Sequence, residues 1–294
     1  MEKLLDEIES YWSTRTEGYS EVNHKELAGT QKNAWLKVLT SQFPDKPKEE
    51  IRILDIGTGP GFFPVILAEA GYHVDAVDYT EGMLEKAKEN AGELCRNIHF
   101  QRMDAQKLEF EDNTFDVVIS RNLTWNLEHP DVAYREWVRV LKVGGKLLNF
   151  DANWYGYLYE EEQRKAYEND RKNVENNSLD DHYLCTDIER MERIALQVPL
   201  SKIRRPEWDV KTLREAGLLG IHTDTEIWKT VWSEEERLNY QSTPMFMVTG
   251  VKPDHFLNLP VVEGEKTEGF LEIGDGEFTL PATIIRCLLY TSPS

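Results

Sequence analysis

The residues best placed to do chemistry fall in short runs, each following an apolar stretch. The first is Ile53-Leu54-Asp55-Ile56-Gly57-Thr58-Gly59-Pro60-Gly61-Phe62-Phe63. Gly57, Gly59 and Gly61 follow a predicted strand and open a predicted helix. Such glycines let the chain turn tightly and bring backbone close to a ligand. Asp55 precedes them. Asp78, in HVDAVDYT and followed by Tyr79, ends the next apolar run. A carboxylate at a strand tip can accept hydrogen bonds from both hydroxyls of a ribose. Asp104-Ala105 follows IHFQRM, and Ser120-Arg121-Asn122-Leu123-Thr124-Trp125-Asn126 follows the fourth run. Asp151 ends the fifth and by position points toward a crevice. Asn153, Trp154, Tyr155 and Tyr157 come next, a polar and aromatic mixture that suits a small-molecule pocket. Asp151 and His182 are the candidate general bases. His182, Cys185 and Asp187 lie close together but match no metal-site spacing, so no metal is expected. His73 stands beside apolar residues on a predicted strand and is expected to be packed.

These runs need a scaffold that brings strand ends together. Apolar patterning predicts strands at 51–56, 72–77, 98–102, 115–120 and 146–150. Helices are expected over 62–70, 81–91 and 133–141, with Gly144-Gly145 turning the last helix into the fifth strand. The N-terminal residues read as an amphipathic helix, and 24–41 as a helix with Leu27, Trp35, Leu36 and Leu39 on one face. Strand alternating with helix implies parallel crossovers and an α/β fold, a Rossmann-like, doubly wound, mostly parallel sheet. Ligands in such sheets bind beyond the C-terminal strand ends, where strand order reverses. Residues 151–206 are charged, tyrosine-rich and helical in pattern, a helical insertion after the fifth strand placed to act as a lid. A helix at 208–216 and strands at 221–228 and 245–251 complete the pattern.

The spacing G-x-G-x-G, with Asp55 ahead of it, resembles motif I of class I S-adenosylmethionine (SAM)-dependent methyltransferases. A nicotinamide-binding loop places its third glycine where this chain has Phe62. The resemblance is to the small-molecule branch that includes ubiquinone and menaquinone methylating enzymes, and it covers residues 50–150. It implies SAM as cofactor, held by Asp55, Gly57, Thr58, Gly59, Gly61, Asp78, Tyr79, Met83, Asp104, Ala105 and Arg121. In that family the acid at Asp78 meets the ribose, Met83 packs on the adenine, and Asp104-Ala105 reads the adenine edge. The loop after the fourth strand faces the sulfonium and the acceptor, which makes Asn122, Trp125, Trp154 and Tyr155 substrate-binding candidates. It lacks the paired prolines usual in amino methyltransferases acting on nucleic acid. The segment YWSTRTEGYS resembles the one closing over the methionine end of SAM, so Arg15 pairs with the carboxylate and Tyr19 packs nearby. The implied organisation is an N-terminal helical cap (1–48), a SAM-binding core (49–150), the insertion (151–206), the last core elements (207–252) and a C-terminal extension (253–294). The implied reaction is in-line methyl transfer to a small molecule. A non-catalytic or regulatory SAM-binding protein, and an NAD-dependent oxidoreductase, remain as alternatives.

The bulk numbers fit. The chain has 294 residues, 40% of them hydrophobic, and a formal net charge of -19. That is apolar enough for a core, and acidic enough to repel nucleic acid. Three cysteines without redox or metal spacing point to a reduced, cytoplasmic setting. No run reaches membrane-spanning length. The number of subunits is left open. Cys287 to Ser294 matches the translation of a transposase library adapter, so a metagenomic assembly running past the native C-terminus is expected.

Overall fold

The structure is a computed structural model that describes residues 4–182 and 186–254, with the backbone of 266–272 and 279–285. Cys185 and the expected adapter-derived tail, 287–294, lie outside the described residues.

The chain opens with α1 (Leu4–Ala28) and α2 (Gln31–Thr40). The single helix expected over 24–41 is broken, because Gly29-Thr30 leaves the helical path. The Gly29 N–H bonds back to the Lys25 carbonyl at 3.0 Å and closes α1. Then follow β1 (Arg52–Ile56), α3 (Phe62–Glu69), β2 (His73–Asp78), α4 (Glu81–Ala91), β3 (Ile98–Arg102) and β4 (Phe115–Arg121). Next are α5 (Pro130–Val140), β5 (Leu141–Asp151), α6 (Glu161–Asn176), α7 (Ile188–Ala195) and α8 (Glu207–Glu215). The unit closes with β6 (Leu219–Asp224), α9 (Trp228–Val231), α10 (Glu234–Asn239) and β7 (Phe246–Val251).

Seven strands form one sheet in the order β3-β2-β1-β4-β5-β7-β6. β1 to β5 are parallel, and β7 runs antiparallel between β5 and β6. The expected doubly wound, mostly parallel sheet is what forms. Residues 255–294 make a separate unit, in which β8 (Lys266–Glu272) and β9 (Thr279–Ile285) pair antiparallel.

Helices cover both faces of the sheet, which is why its central strands read as continuous apolar runs. In β4, Val118 packs with Tyr134 and Trp137 of α5. Its neighbours Val117 and Ile119 point to the other face, against Trp35, Phe62 and Phe63. Three sequence expectations need correction. Gly144-Gly145 lies inside β5, not before it: Phe115 pairs with Leu141 but Val117 with Lys146, so the pair forms a bulge. A side chain at Gly145 would meet the Lys142 carbonyl at 2.7 Å. β6 ends at Asp224, and Trp228 belongs to a helix. His73 is exposed at the start of β2 instead of packed.

A buried polar network fastens β5 to α8. Arg205 has a fully buried side chain and pairs with Asp151 at 2.7 Å and Asp209 at 2.6 Å. Asp209 also accepts from the Tyr134 hydroxyl, which in turn accepts from Asn149. Removing the cation would leave two carboxylates buried and uncompensated. Arg205→Met is therefore expected to cost about 3–5 kcal/mol in urea unfolding. A loss below about 1 kcal/mol would refute this role.

Candidate functional site

β1 has β2 on one side and β4 on the other, so strand order reverses beside it. The turn after β1 is fixed by Gly57 N–H and Thr58 N–H, which donate to the Val77 carbonyl at 2.8 and 3.0 Å. The three glycines do different work there. A Cβ at Gly57 would lie 2.7 Å from Leu123, and one at Gly61 would lie 3.0 Å from Ala87. Those two allow close packing of neighbouring elements. Gly59, with φ +52°, borders the cleft itself, where the Tyr19 ring is its nearest neighbour at 3.6 Å.

The cleft gathers residues from every strand end around the reversal. Asp78 comes from β2. One oxygen accepts from Gly59 N–H at 2.9 Å and the other from Thr80 N–H at 2.8 Å. The Thr80 hydroxyl and the Tyr79 N–H stand near the same carboxylate. Tyr79 and Met83 line the same wall. Asp104 and Ala105 follow β3, and the Asp104 carboxylate accepts from Gln106 N–H at 2.8 Å. Arg121, Asn122, Leu123 and Asn126 follow β4. Asn126 is 4% exposed, and its Oδ1 has no hydrogen-bond partner. A bound donor would satisfy it.

On the roof of the cleft, Tyr19 is joined by residues of the N-terminal cap that the sequence did not single out. Leu5, Ile8, Trp12 and Tyr19 of α1 close it from above. Their spacing follows one helical face, so the signal was present in the sequence. Ion pairs hold α1 down, among them one from Glu17 to Lys86 at 3.0 Å. Glu9 pairs with Arg102 at 2.8 Å, and Arg102 also lies 4.9 Å from the Tyr79 ring centroid. Glu26 takes Arg121 through two bonds, 2.8 and 3.0 Å long. The Arg121 guanidinium is sandwiched further by Phe62 at 4.7 Å and Phe63 at 5.1 Å. Glu26 gave no signal in the sequence, because its partner is distant along the chain.

Tyr19 and Asn122 also border a second, larger chamber. Trp125, Trp154, Tyr155 and His182 line it. His182 contacts the Tyr240 hydroxyl through Nδ1 and Glu235 through Nε2, both at 3.0 Å. Arg15 lines this chamber and is absent from the cleft's walls, contrary to its expected place at the cofactor. Asp55, Thr58 and Gly61 sit behind the cleft as its frame.

Asp151 does not act as a base in this arrangement. It is fully buried and outside both cavities. Its oxygens accept from Trp125 N–H, Ala152 N–H, the Trp154 indole and Arg205. Every strong acceptor direction is engaged, so it positions the two tryptophans instead. Asp187 caps α7 by accepting from Arg190 N–H at 3.1 Å.

Burial lifts the Asp55 carboxyl to about 7, with the Asp78 charge adding and Arg121 opposing. In the unfolded chain the same group ionises near pH 4. Between those values the native state holds a proton that the unfolded state has lost. Stability from this group is thus present at low pH and is lost as pH rises toward 7, by on the order of 4 kcal/mol. Asp55→Asn is expected to flatten the Tm–pH curve of the ligand-free protein between pH 5 and 8. Parallel curves for variant and wild type would show that Asp55 is already ionised in the fold.

Residues 54–149 match the family model described as a methyltransferase domain. A demethylmenaquinone methyltransferase from Clavibacter sepedonicus is 39% identical over 97 residues, 33% of this chain and 39% of that one. A ubiquinone biosynthesis O-methyltransferase from Coxiella burnetii is 30% identical over 126 residues, 42% of this chain and 53% of that one. The chain spans about half the length of the curated relatives it matches. Among solved structures, a Methanococcus maripaludis protein described as a SAM-dependent methyltransferase superposes with a TM-score of 0.55 and 19% identity, covering 83% of this chain and 95% of that one. Residues 54–149 of the chain are thus identified as a methyltransferase domain.

Proposed function

We propose that the chain transfers a methyl group from SAM to a small-molecule acceptor. The observation that carries this reading is a pair of adjoining cavities. A cleft at the strand-order reversal is lined by the glycine loop, Asp78 and Asp104, and it shares Trp12, Tyr19 and Asn122 with an aromatic-walled chamber. The residues fit the cofactor. Asp78, Asp104 and Ala105 line the cleft and are proposed to meet the ribose and the adenine edge, and the unpaired Asn126 Oδ1 could accept a donor.

SAM supplies a methyl group already activated on a positive sulfur. The protein's share is alignment and exclusion of water. Helix α1 roofs the cleft and fixes the cofactor side. The buried Tyr19 hydroxyl stays protonated, because desolvation raises its pKa, so it remains a hydrogen-bond donor at the junction. The segment 151–206 brings Trp154, Tyr155 and Asp180–His182 to the chamber and is proposed as its lid. Both ring nitrogens of His182 are engaged, by Glu235 and the Tyr240 hydroxyl, so it is proposed to take the acceptor's proton through one of those two chamber-lining groups.

Calorimetric titration with SAM, S-adenosylhomocysteine and NAD tests the reading. The two adenosyl ligands are expected to bind and NAD is not. Asp78→Ala is expected to weaken adenosyl binding at least about tenfold, consistent with losing a charged hydrogen-bond acceptor. Binding of NAD alone would overturn the assignment. Protein-dependent transfer of a tritiated methyl to an extract component separates an enzyme from a SAM-binding regulator.

A further inference from the structure

We propose that the acceptor is an organic cation, an alkylamine that binds the chamber as its ammonium form; this rests on the methyl-transfer reading above. Three independent features of the chamber point the same way.

The first is its walls. Tyr11, Trp12, Trp125, Trp154, Tyr155 and Tyr240 line it. Aromatic faces carry negative quadrupole density and attract cations, most strongly when water is excluded. Trp125 and Trp154 are held in place by Asp151, through the Trp125 backbone and the Trp154 indole.

The second is its charge. Among the described lining residues, Glu21, Glu26, Asp180, Asp181, Glu235 and Glu236 stand against the two full cations Arg15 and Lys25. Arg121 and Arg171, just behind the wall, neutralise Glu26 and Asp181. Glu236 makes no ion pair among the described residues. It accepts instead from the neutral groups Gln31 and Ser233. Burial and the nearby Glu26 charge raise its pKa against the opposing charge of Arg121, and an added cation would relieve both. An anionic phenolate would meet the same carboxylates as repulsion.

The third is an orphan acceptor. Asn122 borders both cavities, at the junction where transfer must occur. Its backbone is fixed at φ +57° by its N–H donating to the Phe150 carbonyl at 2.8 Å. Its carbonyl accepts the Trp125 indole N–H at 3.0 Å. The side-chain Oδ1 is buried and has no partner. A buried carbonyl oxygen left unpaired is suited to an N–H donor. In the transfer, the bound ammonium gives one proton to the His182–Glu235 pair. The freed nitrogen lone pair forms the N–C bond as the C–S bond breaks, and the sulfur keeps that bond's electrons as a neutral thioether.

Binding separates charge from shape. The probes are choline, its neutral isostere 3,3-dimethylbutan-1-ol and the anion 3,3-dimethylbutanoate, titrated into full-length protein saturated with S-adenosylhomocysteine. Choline is expected to bind at least about tenfold more tightly than the alcohol, with the anion weakest. Glu236→Gln retains the capping geometry and is expected to cost choline about tenfold without changing S-adenosylhomocysteine affinity. Glu21→Gln, at an exposed position, is expected to cost about twofold. Equal binding of choline and the alcohol, tighter binding of the anion, or no choline binding to the loaded protein overturns the cation assignment and leaves methyl transfer standing. Failure of S-adenosylhomocysteine to bind overturns both.

Discussion

A parallel sheet whose strand order reverses has one place where its loops must part. Here that place is beside β1, with β2 on one side and β4 on the other. The loop after β1 cannot be covered by a crossover helix from both directions, so a crevice remains at the strands' C-terminal ends. Everything that follows serves that crevice. The glycines let the loop turn back under Val77, and Asp78 locks it through the Gly59 N–H. Leu123 packs into the space that a side chain at Gly57 would take. Three strand ends are thereby held at fixed separation without any element crossing the opening.

An open crevice would admit water, and α1 is the answer to that. Its apolar face lies over the cleft, but apolar contact alone does not fix the angle of a long helix. The Glu26–Arg121 pair does. A guanidinium gripped by two carboxylate bonds has little angular freedom. The rings of Trp35, Phe62 and Phe63 limit it further. The same ion pair stands between cleft and chamber, so the helix that encloses the cofactor side also shapes the acceptor side.

Three acids at strand ends show how context divides one chemistry. Asp78 spends part of its capacity on backbone N–H groups and lines the cleft. Asp151 spends all of it, on Arg205 and the two tryptophans, and becomes structural. Asp55 is desolvated behind the glycine loop and sits near its own neutral point. All three end strands or stand close to strand ends, and all three looked equally able to act on a ligand.

Local chemistry made much of this legible in advance. Strand and helix periods gave the parallel core, the glycine spacing gave its crevice, and strand-end acids marked Asp78 and Asp104. Those features depend on residues near one another in the chain. Where Asp151 points was not legible, because its partner Arg205 arrives from a distant segment. Nor was the split of α1 from α2, the bulge inside β5, or the pairing of Glu26 with Arg121. The Arg15 position also turned on packing, since its side chain lines the chamber while its helical neighbours Trp12 and Tyr19 border both cavities. The sequence alone determined which backbone would form and which strand ends would meet. Only the tertiary structure decided which charges are paired, because ion pairing at a few ångströms depends on segments whose separation in space has no counterpart in their spacing along the chain.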